Sequence, residues 1–186
     1  MNKPIVIAVD AMGGDNSPNK IIDGIELYSQ NNKNIFYRLF GNKNLIEKSL
    51  NNKKINNQNY EIIHTDDSVK GEDSPLVAAK RGKNTSMWLS ILSVKNKNSD
   101  IVLSAGNTGA LFVIAKLNLS MITNIDKPAL SGLWPNKTGM NIVLDLGANI
   151  DCNEKNLRDW STLKILFTYL GCGVLSHHIK MICLND

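Results

Sequence analysis

The chain has 186 residues, of which 42% are hydrophobic and 20% are charged, and this balance excludes a disordered chain, a collagen-like chain and a disulfide scaffold. The formal net charge is +4, but no basic stripe with interleaved aromatic residues is visible, so nucleic-acid binding is not indicated. No apolar run approaches the roughly 20 residues that span a bilayer, and the N-terminal residues show no secretory signal. We therefore expect a cytoplasmic protein whose cysteines are reduced thiols.

Continuous apolar runs alternate with longer polar-apolar segments along the chain. Runs that are rich in β-branched residues and apolar on both faces are typical of parallel strands covered on both sides. Such runs predict strands over residues 4–9, 35–40, 60–64, 100–103 and 141–146. A further strand is predicted over residues 128–134, joined to the last of these through a turn at residues 135–139.

Two Ser-Pro pairs predict helix starts, because serine is a good cap and proline is tolerated in the first helical turn. Strands that alternate with helices imply an α/β domain with right-handed crossovers. The polar segment between the second and third predicted strands, residues 51–59, is expected to be an exposed loop. The predicted helices cover residues 18–31, 75–94 and about 107–122.

The last 30 residues differ in composition from the rest. Residues 1–156 hold 24 asparagines, whereas residues 157–186 hold only Asn185. Two explanations are open: a different type of segment, or a tail that is translated out of frame. The sequence therefore predicts an α/β domain over residues 1–156 and a divergent tail over residues 157–186.

Three predicted strands end in small, polar turns that contain glycine. In an open parallel sheet, ligands bind outside the carboxyl ends of the strands, at a switch in strand order. Glycine permits close backbone approach, and free N–H groups at a helix start favour anions. These turns therefore predict a shared phosphate site, although each alone also fits a structural turn, with Asn107 as a helix cap. The turns are Asp10–Asp15, Ser104–Gly109 and Asp145–Asn149.

Other chemistry is weakly indicated. The sequence contains no Walker motif and no GxGxxG, so a nucleotide cofactor is not predicted. His177 and His178 lack a spaced third ligand, so a metal site is not predicted. Lys80, Arg81 and Lys83 are expected on the second predicted helix, either as a solvated face or pointing to the anion site.

Five motifs resemble the bacterial phosphate acyltransferases of phospholipid synthesis, the PlsX type. They occur in the family's order and spacing and cover about residues 3–156, the N-terminal half of such an enzyme. SAGNTGAL and VLDLGAN together are specific. The motifs are VDAMGGDNSP (Val9–Pro18), SPLVAAKRGKNTSM (Ser74–Met87), SAGNTGAL (Ser104–Leu111), DKPAL (Asp126–Leu130) and NIVLDLGANIDC (Asn141–Cys152).

The resemblance implies a Rossmann-like, mostly parallel sheet with helices on both faces, similar to isopropylmalate dehydrogenases. It implies transfer of a long-chain acyl group from acyl carrier protein to inorganic phosphate, giving acyl phosphate for a membrane glycerol-3-phosphate acyltransferase. It also implies a homodimer that needs no cofactor and associates with the inner face of the membrane. Acyl carrier protein is acidic, which is consistent with the net positive charge of this chain.

The resemblance also implies roles for individual residues. Phosphate would attack the thioester carbonyl directly, so no protein nucleophile is required. Lys80, Lys83 and Asn107 are the predicted catalytic residues, with the lysines supplying charge. Asp10, Asp145 and Asn149 would orient loops or lysines. The full set of predicted phosphate-binding and acyl-binding residues is Asp10, Gly13, Gly14, Ser104, Gly106, Thr108, Gly109, Asp145, Gly147 and Asn149.

Two other functions stay open. One is a phosphotransacetylase-like enzyme that uses a short acyl-CoA. The other is an inactive remnant, because family members are longer than this chain and the family pattern is lost after Asn156. We expect a frameshifted or decayed gene to account for that loss.

Overall fold

A computed structural model describes residues 3–137, 139–147, 149 and 151–160. The chain divides into two compact units, with the division between Leu119 and Ser120. No helix in the described ranges is long and apolar enough to cross a membrane.

The first unit contains a four-stranded parallel sheet. Its strand order is β3-β2-β1-β4, so the strand order switches direction between β1 and β4. All four strands were predicted from apolar runs, and the predicted bounds differ from the observed ones by a residue or less. The strands are β1 (Ile5–Asp10), β2 (Ile35–Gly41), β3 (Tyr60–His64) and β4 (Ile101–Ser104).

Five helices accompany this sheet. They are α1 (Asn19–Ser29), α2 (Lys43–Leu50), α3 (Pro75–Arg81), α4 (Ser86–Lys95) and α5 (Thr108–Asn118), and a single 3-10 turn covers Asn57–Asn59. Helix α2 was not predicted. Its N-cap is Asn42, whose side chain accepts a hydrogen bond from the backbone N–H of Leu45 at 3.2 Å. The polar segment after α2 is mostly exposed, as expected.

The prediction that Ser17 caps α1 was wrong. Pro18 occupies the cap position, and the Ser17 hydroxyl instead donates to the carbonyl of Gly13 at 2.6 Å. The hydroxyl therefore stabilises the turn after β1 and does not satisfy the helix end. Helix α1 begins at Asn19 and ends at Ser29, inside the predicted range.

The prediction of one helix over residues 75–94 was also wrong. Helix α3 ends before Gly82, whose φ and ψ of −149° and 86° are not helical. Thr85 then caps α4 by accepting a hydrogen bond from the N–H of Trp88 at 3.3 Å. Lys80 therefore lies on α3 and Lys83 in the loop between the two helices, and the two lysines do not share one helical face.

The sheet is covered on both faces. On one face Val9 and Leu39 form a buried cluster with Ile22 of α1 and Ile46 of α2. The other face packs against α4, whose Ile91 is fully buried. Each such buried aliphatic side chain stabilises the fold by about 1.5–3 kcal/mol. This arrangement confirms the predicted α/β fold with a parallel sheet flanked by helices.

The second unit contains an antiparallel pair of strands, β5 (Ser131–Asn136) and β6 (Gly139–Leu144), in which Ser131 pairs with Leu144. The expected connection between the two apolar runs is confirmed. The expectation that residues 141–146 join the parallel sheet was wrong. A short connection suffices between antiparallel strands, whereas parallel neighbours need a crossover of a dozen residues or more.

Residues 154–160 are helical, and the predicted boundary at residue 156 lies within this helix. Trp160 is buried, and its indole N–H donates to the carbonyl of Lys127 at 3.0 Å. The remainder of the predicted tail, residues 161–186, lies outside the described residues.

Candidate functional site

Asp10 lies at the point where the strand order switches. It is the last residue of β1 and pairs in register with Ser104, the last residue of β4. The Ser104 hydroxyl donates to Asp10 Oδ2 at 2.7 Å, and the Ser86 hydroxyl donates to Asp10 Oδ1 at 2.6 Å. The backbone N–H of Met12 also donates to Oδ1, at 3.3 Å. The carboxyl group is therefore held by groups from two strand ends and from the start of α4.

The environment of Asp10 pulls its pKa in two directions. The residue is only 1% exposed, and this burial raises the pKa of its carboxyl above the ordinary 3.8, while the hydrogen bonds from Ser86, Ser104 and the Met12 N–H act against that rise. Hydroxyl-to-carboxylate bonds of this length are typical of an ionised acceptor. The two serines therefore favour the charged form of a carboxylate that lies out of solvent.

Two glycines bring the turns after β1 and β4 into contact. A Cβ on Gly13 would lie 2.6 Å from Asp10 Oδ2, 2.8 Å from Ser104 Oγ and 2.9 Å from the N of Gly106. Gly14 has φ +87°, and a Cβ there would lie 2.7 Å from the carbonyl oxygen of Ala105. No side chain fits between the turns at these positions. The structure therefore brings the first two predicted turns together.

The turn after β4 leads directly into α5. Asn107 caps that helix by accepting a hydrogen bond from the N–H of Ala110 at 2.9 Å. Its amide nitrogen donates to the carbonyls of Gly71 and Asp73, each at 2.9 Å. The side chain of Asn107 thus fixes the 71–73 loop against the start of α5.

The predicted phosphate ligands at this helix start are not equivalent. The N–H of Gly106 donates to Ser104 Oγ at 3.1 Å, so it is engaged inside the protein. The N–H groups of Asn107, Thr108 and Gly109 donate to no acceptor within the described ranges. Free N–H groups in the first turn of a helix carry partial positive charge and attract anions.

The two predicted lysines lie near the surface. Lys80 and Lys83 are both exposed, and neither takes part in the ion pairs between described residues. Helix α3 packs against α5, and a Cβ on Gly109 would lie 2.6 Å from Cγ of Pro75. Lys80 therefore lies on a helix that contacts the start of α5.

The third predicted turn belongs to the second unit and is organised by Asp145. Its Oδ1 accepts hydrogen bonds from the backbone N–H and the side-chain amide of Asn149, at 3.2 and 2.9 Å. The Cys152 thiol donates to Oδ2 at 3.3 Å, and desolvation together with this carboxylate raises the pKa of that thiol. Asp145 and Gly147 have φ of +57° and +77°. That this turn shares a site with the other two stays a prediction.

Sequence reasoning missed Ser86. The apolar content of residues 75–94 gave no reason to end a helix at Arg81, so Ser86 appeared to lie in a helix interior. Thr85 is a preferred N-cap type, and Gly82 precedes it by three residues; together these were the available signal for a new helix start. Among the described residues, no group of three His, Cys, Asp or Glu is arranged to hold a metal ion.

The model of a family described as fatty acid synthesis protein matches residues 5–170. A phosphate acyltransferase of Pelagibacter ubique is 66% identical over 163 residues, which are 88% of this chain and 48% of that relative. One of Neorickettsia sennetsu is 38% identical over 185 residues, or 98% and 54% of the two chains. One of Paramagnetospirillum magneticum is 36% identical over 174 residues, or 94% and 50%. The chain thus spans about half the length of these relatives, and the resemblance drawn from the motifs is confirmed.

Proposed function

We propose that this chain, which belongs to the fatty acid synthesis protein family, acts as a phosphate acyltransferase that moves a long-chain acyl group from acyl carrier protein to inorganic phosphate. The names of its relatives support the acyl transfer to phosphate. The observation that carries the proposal is the open start of α5 at the switch in strand order, which is where ligands bind in sheets of this kind.

Phosphate would bind at the start of α5. The backbone N–H groups of Asn107, Thr108 and Gly109 would donate to its oxygens, and the Thr108 hydroxyl is close enough in sequence to add a further donor. Lys80 and Lys83 would supply positive charge from the solvent side. Preorganised donors of this kind stabilise an anion without reorganisation when the reaction occurs.

The reaction needs no covalent enzyme intermediate. A phosphate oxygen attacks the thioester carbonyl carbon, a C–O bond forms, and the C–S bond breaks. The carrier thiolate leaves and takes up a proton from solvent, and the product is the acyl phosphate. The task of the protein is to hold two reactants in the correct relative position.

The remaining predicted residues of the first unit would shape this site. Ser104 and Asp10 hold the turns after β4 and β1, and Gly13 and Gly14 allow those turns to touch. In the second unit, Asp145 and Asn149 hold a turn of their own, with Gly147 beside them. We propose that these residues orient loops and do not themselves contact the reacting atoms.

Several partners follow from the same proposal. The donor would be acyl carrier protein, whose acidic surface would complement the net charge of +4. The product would pass to a membrane glycerol-3-phosphate acyltransferase. A homodimer that associates with the inner face of the membrane would place the product near that enzyme.

The test is an assay of the 186-residue chain with a long-chain acyl carrier protein thioester, with and without inorganic phosphate. Hydroxylamine traps an acyl phosphate as a hydroxamate, so a hydroxamate that forms only when phosphate is present supports the proposal. Faster turnover of acetyl-CoA would indicate a phosphotransacetylase-like enzyme. Phosphate binding without turnover of either donor would identify an inactive remnant and refute catalysis by this chain.

A further inference from the structure

Ser86 is held both through its backbone and through its side chain. It is 1% exposed and is the first residue of α4. Its backbone N–H donates to the carbonyl of Asp67 at 2.9 Å, while its hydroxyl donates to Asp10 Oδ1 at 2.6 Å. The start of α4 is thereby anchored to the loop after β3 and to the end of β1.

The hydroxyls of Ser86 and Ser104 each have one proton to donate. Ser104 Oγ accepts from the N–H of Gly106, and its only proton goes to Asp10 Oδ2. Ser86 gives its proton to the other oxygen, Oδ1. In the ionised form of Asp10, both carboxylate oxygens therefore act as acceptors, and each serine gives its one proton to one of them.

This chain of bonds ends at the predicted phosphate site. The Asp10 carboxylate accepts from the Ser104 hydroxyl, and the Ser104 oxygen accepts from the N–H of Gly106. Gly106 directly precedes the three N–H groups at the start of α5 that have no acceptor within the described ranges. Gly13 lies against the same atoms, because a Cβ there would be within 2.9 Å of all three groups. A rotation of the Asp10 carboxyl would displace the turn that presents those N–H groups.

We propose that Ser86 is a positioning residue for the phosphate site, acting through Asp10 on Ser104 and the turn that begins α5. This inference rests on the proposed function, because it takes the start of α5 as the place where phosphate binds. Ser86 itself contacts no substrate. Its hydroxyl holds one oxygen of Asp10 so that the other stays directed at Ser104.

The test compares Ser86→Ala with Ser90→Ala in the 186-residue chain. Ser90 is a matched control, because it is a fully buried serine of the same helix whose hydroxyl donates to the carbonyl of Met87 and not to Asp10. The dissociation constant for inorganic phosphate is measured by calorimetry, and circular dichroism confirms that each variant is folded. We expect Ser86→Ala to weaken binding about tenfold, and Ser90→Ala to leave it within about twofold.

A double-mutant cycle shows whether Ser86 acts through Asp10. If it does, Ser86→Ala has no further effect on phosphate affinity once Asp10→Ala is present, because alanine offers the Ser86 hydroxyl no acceptor. Additive effects would overturn the proposal, and so would a Ser86→Ala variant that binds phosphate as tightly as the wild type. A wild-type chain that binds no phosphate would overturn the phosphate site as well, so the two failures are distinguishable.

The pH dependence of sulfate binding provides a second route if Asp10→Ala does not fold. Sulfate keeps its charge across the acidic range, so a loss of binding at low pH reports on the protein. Burial raises the pKa of Asp10, and the groups that lower it are the Ser86 and Ser104 hydroxyls and the Met12 N–H, none of which is charged. Ser86→Ala removes a bond that lowers this pKa, so the acid limb should move to higher pH; an unmoved limb would contradict the proposal.

Discussion

Gly13→Ala probes the contact between the turns after β1 and β4. The added methyl would lie 2.6 Å from Asp10 Oδ2, 2.8 Å from Ser104 Oγ and 2.9 Å from the N of Gly106. Real Cβ atoms do not approach other heavy atoms this closely, and all three neighbours take part in hydrogen bonds that hold them in place. The turns must therefore separate to admit the methyl group.

Overpacking of this kind costs about 1–3 kcal/mol of unfolding free energy. For a chain of this size, that corresponds to a decrease in Tm of about 2–4 °C per kcal/mol. The displacement also moves Gly106 and the start of α5, so phosphate affinity should fall together with stability. Urea unfolding followed by circular dichroism gives the first quantity, and calorimetry with phosphate gives the second.

Gly24→Ala is the matched control. Gly24 lies in the middle of α1, and a Cβ there would meet no atom within 4 Å. Alanine in a helix interior is more favourable than glycine by about 0.5–1 kcal/mol, so this variant should be more stable and should bind phosphate normally. If Gly13→Ala were as stable as the wild type and bound phosphate equally well, the described contact between the two turns would be wrong.

Three further predictions concern other parts of the site. Asn107→Ala should cost about 1–2 kcal/mol through loss of the cap and should weaken phosphate-dependent thioester cleavage. Asn107→Asp keeps the cap acceptor but loses both bonds to the 71–73 loop, so comparing the urea midpoints of the two variants separates the cap from the loop contacts. Burial raises the pKa of Asp10, so the stability that its carboxyl contributes is complete below the unfolded-state pKa and is lost as pH rises through the folded-state pKa. Relative to Asp10→Asn, the wild type should therefore lose unfolding free energy as pH rises above about 4, the ordinary pKa of an aspartate. Replacing Lys80 and Lys83 together by alanine should weaken phosphate binding severalfold at low salt. The Tm should not change, since both side chains are exposed. Lys116→Ala, at the far end of α5, should change neither phosphate binding nor Tm.

The sheet was predictable because its strands are continuous apolar runs. Such runs bury both faces only in a sheet that is covered on both sides, and the runs at residues 4–9 and 35–40 became β1 and β2 almost unchanged. Composition could not show that residues 141–146 pair locally, because an apolar run does not specify its partner strand. The short distance to β5 along the chain decided that pairing.

The helices were less predictable where local signals competed. Between Pro75 and Lys95, hydrophobicity favoured one long helix, but Gly82 and the cap at Thr85 divide it in two. That division makes Ser86 the first residue of α4 and allows its hydroxyl to reach Asp10. The contact spans 76 positions of the sequence, and no pattern within one segment of the chain could have indicated it.

The order of the strands explains why the carboxylate and the open N–H groups are neighbours without being in conflict. Because β2 and β3 lie on one side of β1 and β4 lies on the other, the turns after β1 and β4 border the crevice where the sheet changes direction. Asp10 is buried at the end of β1 beside β4, and its two oxygens are already bonded by hydroxyls and a backbone amide. An incoming oxyanion would be repelled by a free carboxylate at that position, but these bonds partly offset the charge of Asp10. The N–H groups at the start of α5 donate to no acceptor within the described ranges, so we expect an anion to bind against that helix and away from Asp10.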